Sequence, residues 1–221
     1  MEYFGLAEIA YKKIKDAILK HEIVPGELLS HDELVLRLKI GQTPIREALS
    51  RLIQEGYVTQ VTHCGYRVSE MTADEVSELF EMRQVLEAYC IDEAIQRITP
   101  DGINALELSV KSSRKSITTN QPLVNRYITN KDFHLIVAEI AGNNAVCRVL
   151  EDTCEKLILK RRIDGVSHGG FGVLRHHRDI LRAIKNQDTK KAQDLMKSHL
   201  DEIKYTLLKR IAVRTREAQA R

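Results

Sequence analysis

The sequence predicts a mainly α protein: an N-terminal winged helix-turn-helix followed by an all-helical bundle of about six helices. Three observations carry that expectation. Two short amphipathic helices with a tight turn between them lie within residues 30–56, and a strand–turn–strand pattern follows at 57–68. From residue 73 onward the apolar residues recur with a helical period and show few strand signals. The boundary is expected at Ser69 to Thr72, giving domains at residues 1–70 and 71–221; 221 residues suffice for two modest cores.

The elements follow in order. Residues 7–20 read as a first helix with Ala10, Ile14, Ala17 and Ile18 on its core side and Lys12, Lys13, Lys15 and Lys20 toward water or phosphate. Ser30-His31-Asp32-Glu33 is a capping box ahead of a short helix that buries Leu34, Val35 and Leu38. Lys39 to Gln42 form the inter-helix turn, with Gly41 able to take positive φ. Thr43 is the expected N-cap of the next helix and Pro44 its first residue. Ile45, Ala48, Leu49, Leu52 and Ile53 make its apolar stripe, and Gly56 stops it. Its outer face carries Arg46, Glu47, Ser50, Arg51 and Gln54. Arg46 is expected in the first turn, where the helix dipole disfavours a cation, so a phosphate or base edge is its natural partner. Helix spacing alone fits an ordinary helical corner equally well. Tyr57–Val61, a turn at Thr62 to Gly65, and Tyr66–Val68 shift the balance by adding a β-hairpin wing.

Pro25-Gly26, the run T-P-I-R-E-A-L-S-R-L at 43–52, Glu55-Gly56-Tyr57 and the Gly65 wing together resemble the winged helix of the GntR family of bacterial transcription regulators, over Leu6 to Val68. The resemblance implies double-stranded operator DNA as a partner, bound by a homodimer. Gln42, Thr43, Arg46 and Arg51 are then expected at the major groove or its phosphates, and His63, Gly65 and Arg67 to set the wing against the backbone or minor groove. Many members carry arginine in place of Gln42, and some in place of Asp32, which bears on the bases preferred.

Composition narrows the classes. Thirty-four Lys plus Arg against 31 Asp plus Glu give a formal charge of +3, so DNA affinity must come from local placement. No apolar run approaches the ~20 residues of a membrane span. The start, MEYFGLAEIA, lacks a basic-then-apolar signal segment. Cys64, Cys90, Cys147 and Cys154 have no CxxC spacing and read as reduced thiols, so the expected location is cytoplasmic and away from membranes.

Beyond the boundary, helices are expected near 73–98, 101–118, 122–141, 144–163, 171–186 and 189–213, with Arg210 to Arg221 fraying. Polar residues interrupt three of the apolar stripes. One stripe runs Leu123, Tyr127, Asn130, His134, Val137, Ala141; the next helices offer Val173, His177, Ile180, Leu181, Ile184 and Ala192, Leu195, Met196, His199, Ile203, Leu207. His177 and His199 lie at similar distances from the Asn186–Asp188 turn, so an antiparallel hairpin brings them level. A lone histidine on such a face is usually a hydrogen-bonded core residue. Three at compatible positions equally fit a metal site with open coordination positions. His176 and His168 fit less well, the latter reading as loop. A fourth interruption is Arg83, in the stripe Val76, Leu79, Arg83, Leu86, Cys90, Ala94, with Glu87 four residues on. It reads either as a rim ion pair or as a guanidinium aimed into a cavity to grip a carboxylate.

The pattern F-H-x-x-V at 133–137, Ala141-Gly142-Asn143, H-x-x-I-L-x-A-I at 177–184 and D-x-x-x-A-x-x-x-M-x-x-H at 188–199 resembles the FCD ligand-binding domain of a large GntR subgroup. That resemblance implies a divalent metal ion on His134, His177 and His199 with Asn130 as fourth ligand: zinc first, nickel or manganese as alternatives. It also implies a small organic acid effector, with Arg83 as an effector-binding residue. Many members have aspartate where this chain has Asn130, and an amide oxygen brings no charge to the ion. The expected function is a transcription regulator, a repressor, whose operator affinity a carboxylate modulates. The alternatives are a metal-dependent hydrolase with a three-histidine centre and a direct metal sensor.

Overall fold

The computed structural model describes residues 5–119, 121–160 and 170–219, the side chains as far as residue 217. The chain divides into two compact units. One contains the described residues up to Met71 together with the short segment from Ile158; the other contains Thr72–Leu157 and the described residues from Gly170 onward.

In the first unit α1 (Leu6–Leu19), α2 (His31–Leu38) and α3 (Gln42–Gln54) are joined by β1 (Leu28–Leu29), β2 (Val58–Val61) and β3 (Gly65–Val68). Ile14, Ile18, Leu34, Ile45, Leu49, Leu52, Tyr57, Val58 and Val68 form its core, and Leu159 joins them. The wing is antiparallel, with Val58 opposite Val68 and Val61 opposite Gly65. A third strand, not expected from the sequence, completes the sheet. At two residues β1 is too short to show a period, but it pairs Leu28 with Arg67 and Leu29 with Tyr66 along the other edge of β3. That pairing explains Gly65, whose φ is +106° and where a Cβ would lie 2.5 Å from the Leu29 carbonyl oxygen.

Three local expectations are corrected. Gly41, not Thr43, is the N-cap of α3, and no side chain caps it; Thr43 and Pro44 are its second and third residues. Pro44 still fits, because the first four N–H groups of a helix have no partner within it. The left-handed turn residue is Lys39, with φ 54°, while Gly41 is extended at φ −63°. Arg46 is therefore the fifth helical residue, beyond the first turn, and the dipole argument for it weakens. Ser30 does cap α2, its hydroxyl accepting from the Glu33 N–H at 3.1 Å.

The second unit comprises α4 (Ala73–Arg97), α5 (Pro100–Thr118), α6 (Leu123–Ala141), α7 (Asn144–Leu159) as far as Leu157, α8 (Gly170–Lys185) and α9 (Thr189–Gln219). α4 starts with a full capping box between Thr72 and Glu75 and packs against α6 and α9; α5 packs on α6 and α8, and α8 on α9. The expected end of α7 at 163 and the loop reading of His168 lie outside the described residues. The stretch from Arg210, where fraying was expected, is helical as far as Gln219, the last described residue. In α4 the inward face is Val76, Phe80, Arg83, Glu87, Cys90, Ile91 and Ala94, so Glu87 occupies the interior place assigned above to Leu86.

Candidate functional site

α6, α8 and α9 each deliver one histidine to the interior of the helical unit. His134, His177 and His199 are at most 1% exposed. Their apolar neighbours along each helix, Val137, Ile180, Leu181, Met196 and Leu200, are buried with them, so ordinary core packing aims the imidazoles inward. One ring nitrogen from each lies within 4.8 Å of the other two. His199 Nε2 stands 3.3 Å from His177 Nε2 and 3.3 Å from His134 Nε2. A tetrahedral zinc with Zn–N bonds of ~2.0–2.1 Å separates its ligand nitrogens by roughly 3.3–3.4 Å. Phe133 stacks on His177 at 4.1 Å and nearly parallel, which holds that ring in plane.

Hydrogen bonding within the trio is incomplete. His134 Nδ1 donates to Glu87 Oε2 at 2.5 Å, so the Nε2 of the neutral ring is a bare lone pair. His199 Nε2 faces both neighbours with a single position, either N–H or lone pair, and so satisfies one contact well at most. The Nδ1 atoms of His177 and His199 are buried without a hydrogen-bond partner. Burial lowers the pKa of His177 and His199 well below the ordinary value, and their neighbouring imidazoles and Arg83 act the same way. Burial also lowers that of His134, opposed by Glu87. All three rings are therefore neutral near pH 7, the form in which imidazole binds metals. Asn130 stands one helical turn before His134, and its Oδ1 is a buried acceptor with no hydrogen-bond partner. Three converging neutral nitrogens and an orphaned amide oxygen fit a divalent ion.

Behind the trio runs a buried chain of which the sequence showed only the Arg83–Glu87 spacing, not the link to His134. Arg83 Nε donates to Glu87 Oε1 at 2.7 Å, and the other carboxylate oxygen takes the proton of His134. Burial alone would raise the Glu87 pKa, but the Arg83 guanidinium and the hydrogen bonds from His134 and Arg83 outweigh it and bring it down to about 2. The Arg83–Glu87 pair is thus in the interior, not at a rim as its blander reading had it. Only part of the guanidinium is engaged: Arg83 Nη2 is buried and has no hydrogen-bond partner. The available signal for Glu87 was its spacing of four from Arg83, which puts both on one face.

In the winged-helix unit Gln42, Thr43 and Arg46 are exposed on the outer side of α3. Arg46 makes no hydrogen bond or ion pair among the described residues, while the Gln42 carbonyl accepts from His31 Nε2 at 3.1 Å. Arg51 is engaged within the unit. It bonds Glu8 at 2.7 Å and Glu55 at 3.0 Å, and its guanidinium lies 3.7 Å above the Tyr11 ring. His63 is exposed in the hairpin turn with a left-handed φ of 59°, beside exposed Cys64. Arg67 Nη1 donates to the Gly26 carbonyl at 3.0 Å.

Comparison with known proteins places both units. The profile of the bacterial regulatory proteins of the gntR family matches residues 6–68, and that of the FCD domain matches residues 78–202. The transcriptional repressor RspR of Escherichia coli K12 is 28% identical over 200 residues, covering 87% of this chain and 85% of the repressor. The repressor GlaR of the same organism is 27% identical over 203 residues, covering 86% and 90%. Among solved structures, E. coli McbR/YncC superposes with a TM-score of 0.78 at 18% identity, covering 94% of this chain and 99% of that one. A GntR regulator from Rhodococcus sp. RHA1 gives 0.77 at 20% identity, covering 91% and 97%. At such identities these two show the fold alone. None of the described helices is long and apolar enough to cross a membrane. The relatives are transcription regulators, not enzymes, which removes the hydrolase reading. The chain belongs to the GntR family of DNA-binding transcriptional regulators, in the group that carries an FCD domain.

Proposed function

We propose that this regulator is a repressor whose affinity for operator DNA is set by a small carboxylate bound at a metal-containing site in the helical unit. The observation that carries the reading is the convergence of His134, His177 and His199, with the unpartnered Asn130 oxygen one helical turn before His134. These four residues would hold the ion, zinc before nickel or manganese by donor type. A bound divalent ion would supply a positive centre for an acid's carboxylate. Arg83 adds a charge-assisted contact through its free Nη2, while Glu87 holds His134 with its Nε2 lone pair turned toward the other rings.

Operator contact is assigned to Gln42, Thr43 and Arg46, all exposed on α3, with His63 and Arg67 at the wing. Gly65 serves the wing by permitting its close approach to β1. Arg51, already braced by Glu8 and Glu55, adds positive potential more than a reaching contact. A dimer fits an exposed apolar face on α4, where Met82, Val85 and Tyr89 lie at positions i, i+3 and i+7. Two winged helices would then read two half-sites.

Gel shifts on operator fragments test the reading, with chelator, with each metal, and with a panel of carboxylates. The expected result is an operator affinity that changes roughly five- to 150-fold when an acid is added to metal-loaded protein, the range of ordinary allosteric coupling. Binding that responds to metal alone would make the protein a direct metal sensor. Binding indifferent to both would remove the sensing role from this site.

A further inference from the structure

The charge of the helical interior is unusual for a cation site. The four donors, three imidazoles and the Asn130 amide, are all neutral. The one buried carboxylate nearby, Glu87, is already committed to Arg83 and to the His134 N–H. Cys154 acts on Arg83 electrostatically, but burial pushes its thiol up to about 11, so it supplies no thiolate near pH 7. Arg83 acts on all three imidazoles and keeps one nitrogen unpartnered. His176 lies at the edge of the trio, its ring 5.5 Å from that of His199, and brings no negative charge. Its acidic neighbour Glu202, 3.6 Å away, is half exposed. A divalent cation placed here would have its +2 charge met by no anion of the protein, in an interior where unpaired charge is expensive.

We infer that metal and acid occupy this site together: Asn130 makes retention of the ion depend on an anionic co-ligand, and the effector class that meets the need is a dicarboxylate. One carboxylate neutralises the donor set and the other meets the open Nη2 of Arg83. The acid is then more than a signal read at a preformed ion. Each raises the affinity of the other by the same factor, because linkage is reciprocal. Loss of either weakens the hold on the other. This inference rests on the metal reading proposed above.

The experiment measures zinc affinity of the full-length protein by competition with a chromophoric chelator, free zinc being buffered. It is run alone, with succinate, and with succinamide, which offers carbonyl oxygens without charge. The parent is expected to bind zinc roughly ten- to 100-fold more tightly with succinate, within the usual range of coupling, and to ignore succinamide. Asn130→Asp should bind zinc tightly without any acid and gain less than about threefold from succinate, its own carboxylate supplying the charge. His134→Ala should bind weakly in every arm. Parent protein that holds zinc equally well with and without succinate would overturn the co-dependence and leave the metal site standing. If parent and Asn130→Asp both ignore zinc under all conditions, the metal reading falls, and this inference with it.

Discussion

The residues the winged-helix unit offers to a partner sit outside its core. Gln42, Thr43 and Arg46 are exposed on a helix whose other face, Ile45, Ala48, Leu49 and Leu52, is no more than 2% exposed. In the helical unit the residues offered are the core: His134, His177, His199, Arg83 and Glu87 are each no more than 4% exposed. The first arrangement separates folding from function, because an outward side chain can change without disturbing the apolar face beneath it. The second ties them together. Buried polar groups need mutual satisfaction, and where they lack it, as at Arg83 Nη2, Asn130 Oδ1 and the Nδ1 atoms of His177 and His199, stability is traded for readiness to bind. If the helical unit binds the metal and acid proposed above, binding would stabilise it and leave the winged-helix core as it is.

The largest expected effect comes from cutting the buried chain. Glu87→Leu leaves the Arg83 charge unpaired in the interior and should lower stability by about 3–5 kcal/mol. The double variant Arg83→Met/Glu87→Leu should recover most of that loss, since removing both charges removes the penalty. Urea unfolding of the four proteins in the cycle gives the answer. Additive losses in the double variant would mean that the pair is not electrostatically coupled.

Acid should separate the two units next. The folded-state pKa values of His177 and His199 lie below their ordinary 6.5, so as pH falls through that value the unfolded chain takes up protons that the folded metal-free protein refuses. Their contribution to stability is present above about 6.5 and declines below it. Glu87 is also depressed, to about 2, so its contribution is lost as pH falls from 4.5 toward 2. The winged-helix unit has no buried histidine or carboxylate among its described residues. Hydrogen exchange of metal-free protein should show the interior of α6, α8 and α9 opening first as pH falls below neutrality, with α3 protected longer. Loss of protection in both units at one pH would contradict the contrast.

How legible these features were in the sequence depended on the kind of signal. Long helices with regular stripes were readable, and the level placement of His177 and His199 followed from counting residues on either side of one turn. Glu87 was not, because a periodicity argument assigns the interior to apolar residues, and Leu86 stood one position away. The hairpin was visible from alternation, whereas β1, with two residues, had no period to detect. The start of α3 was misjudged because cap preference favoured Thr43, while an extended Gly41 begins the helix without a side-chain cap. The turn before it is set by Lys39 in the left-handed region, a conformation that composition does not announce.

A smaller effect, confined to DNA, is expected at Arg46. Replacing it with alanine should weaken operator binding by about 1–3 kcal/mol and flatten its salt dependence. Stability should stay within about 0.5 kcal/mol, since the side chain is exposed and makes no hydrogen bond or ion pair among the described residues. Fluorescence anisotropy at several salt concentrations, beside a urea melt, measures both. Unchanged operator affinity would take Arg46 out of the interface.

The smallest effect is predicted at Arg51, and it tests the contrast inside a single helix. Arg46 and Arg51 lie on the same α3, both exposed, and with Arg46 beyond the first turn the helix dipole no longer sets them apart. Their surroundings differ. Arg51 bridges Glu8 of α1 and Glu55 at the end of α3, and covers the face of Tyr11, whose hydroxyl donates to Glu55 at 2.6 Å. Because its ion pairs are open to water, they should be worth well under about 1 kcal/mol together, with the stacking on Tyr11 adding about 0.5–1 kcal/mol. Arg51→Ala should therefore lower stability by about 1 kcal/mol, and Arg51→Lys by nearly as much, because a lysine cannot reproduce the planar stack and fork. Operator binding should drop less than for Arg46→Ala, and Arg51→Lys, which keeps the charge, should restore it. If Arg51→Ala instead weakens operator binding as strongly as Arg46→Ala while leaving the urea midpoint unchanged, the brace gives way when DNA arrives. The outer face of α3 would then be a single binding surface, with Arg51 held in place by Glu8 and Glu55 only until a phosphate replaces them.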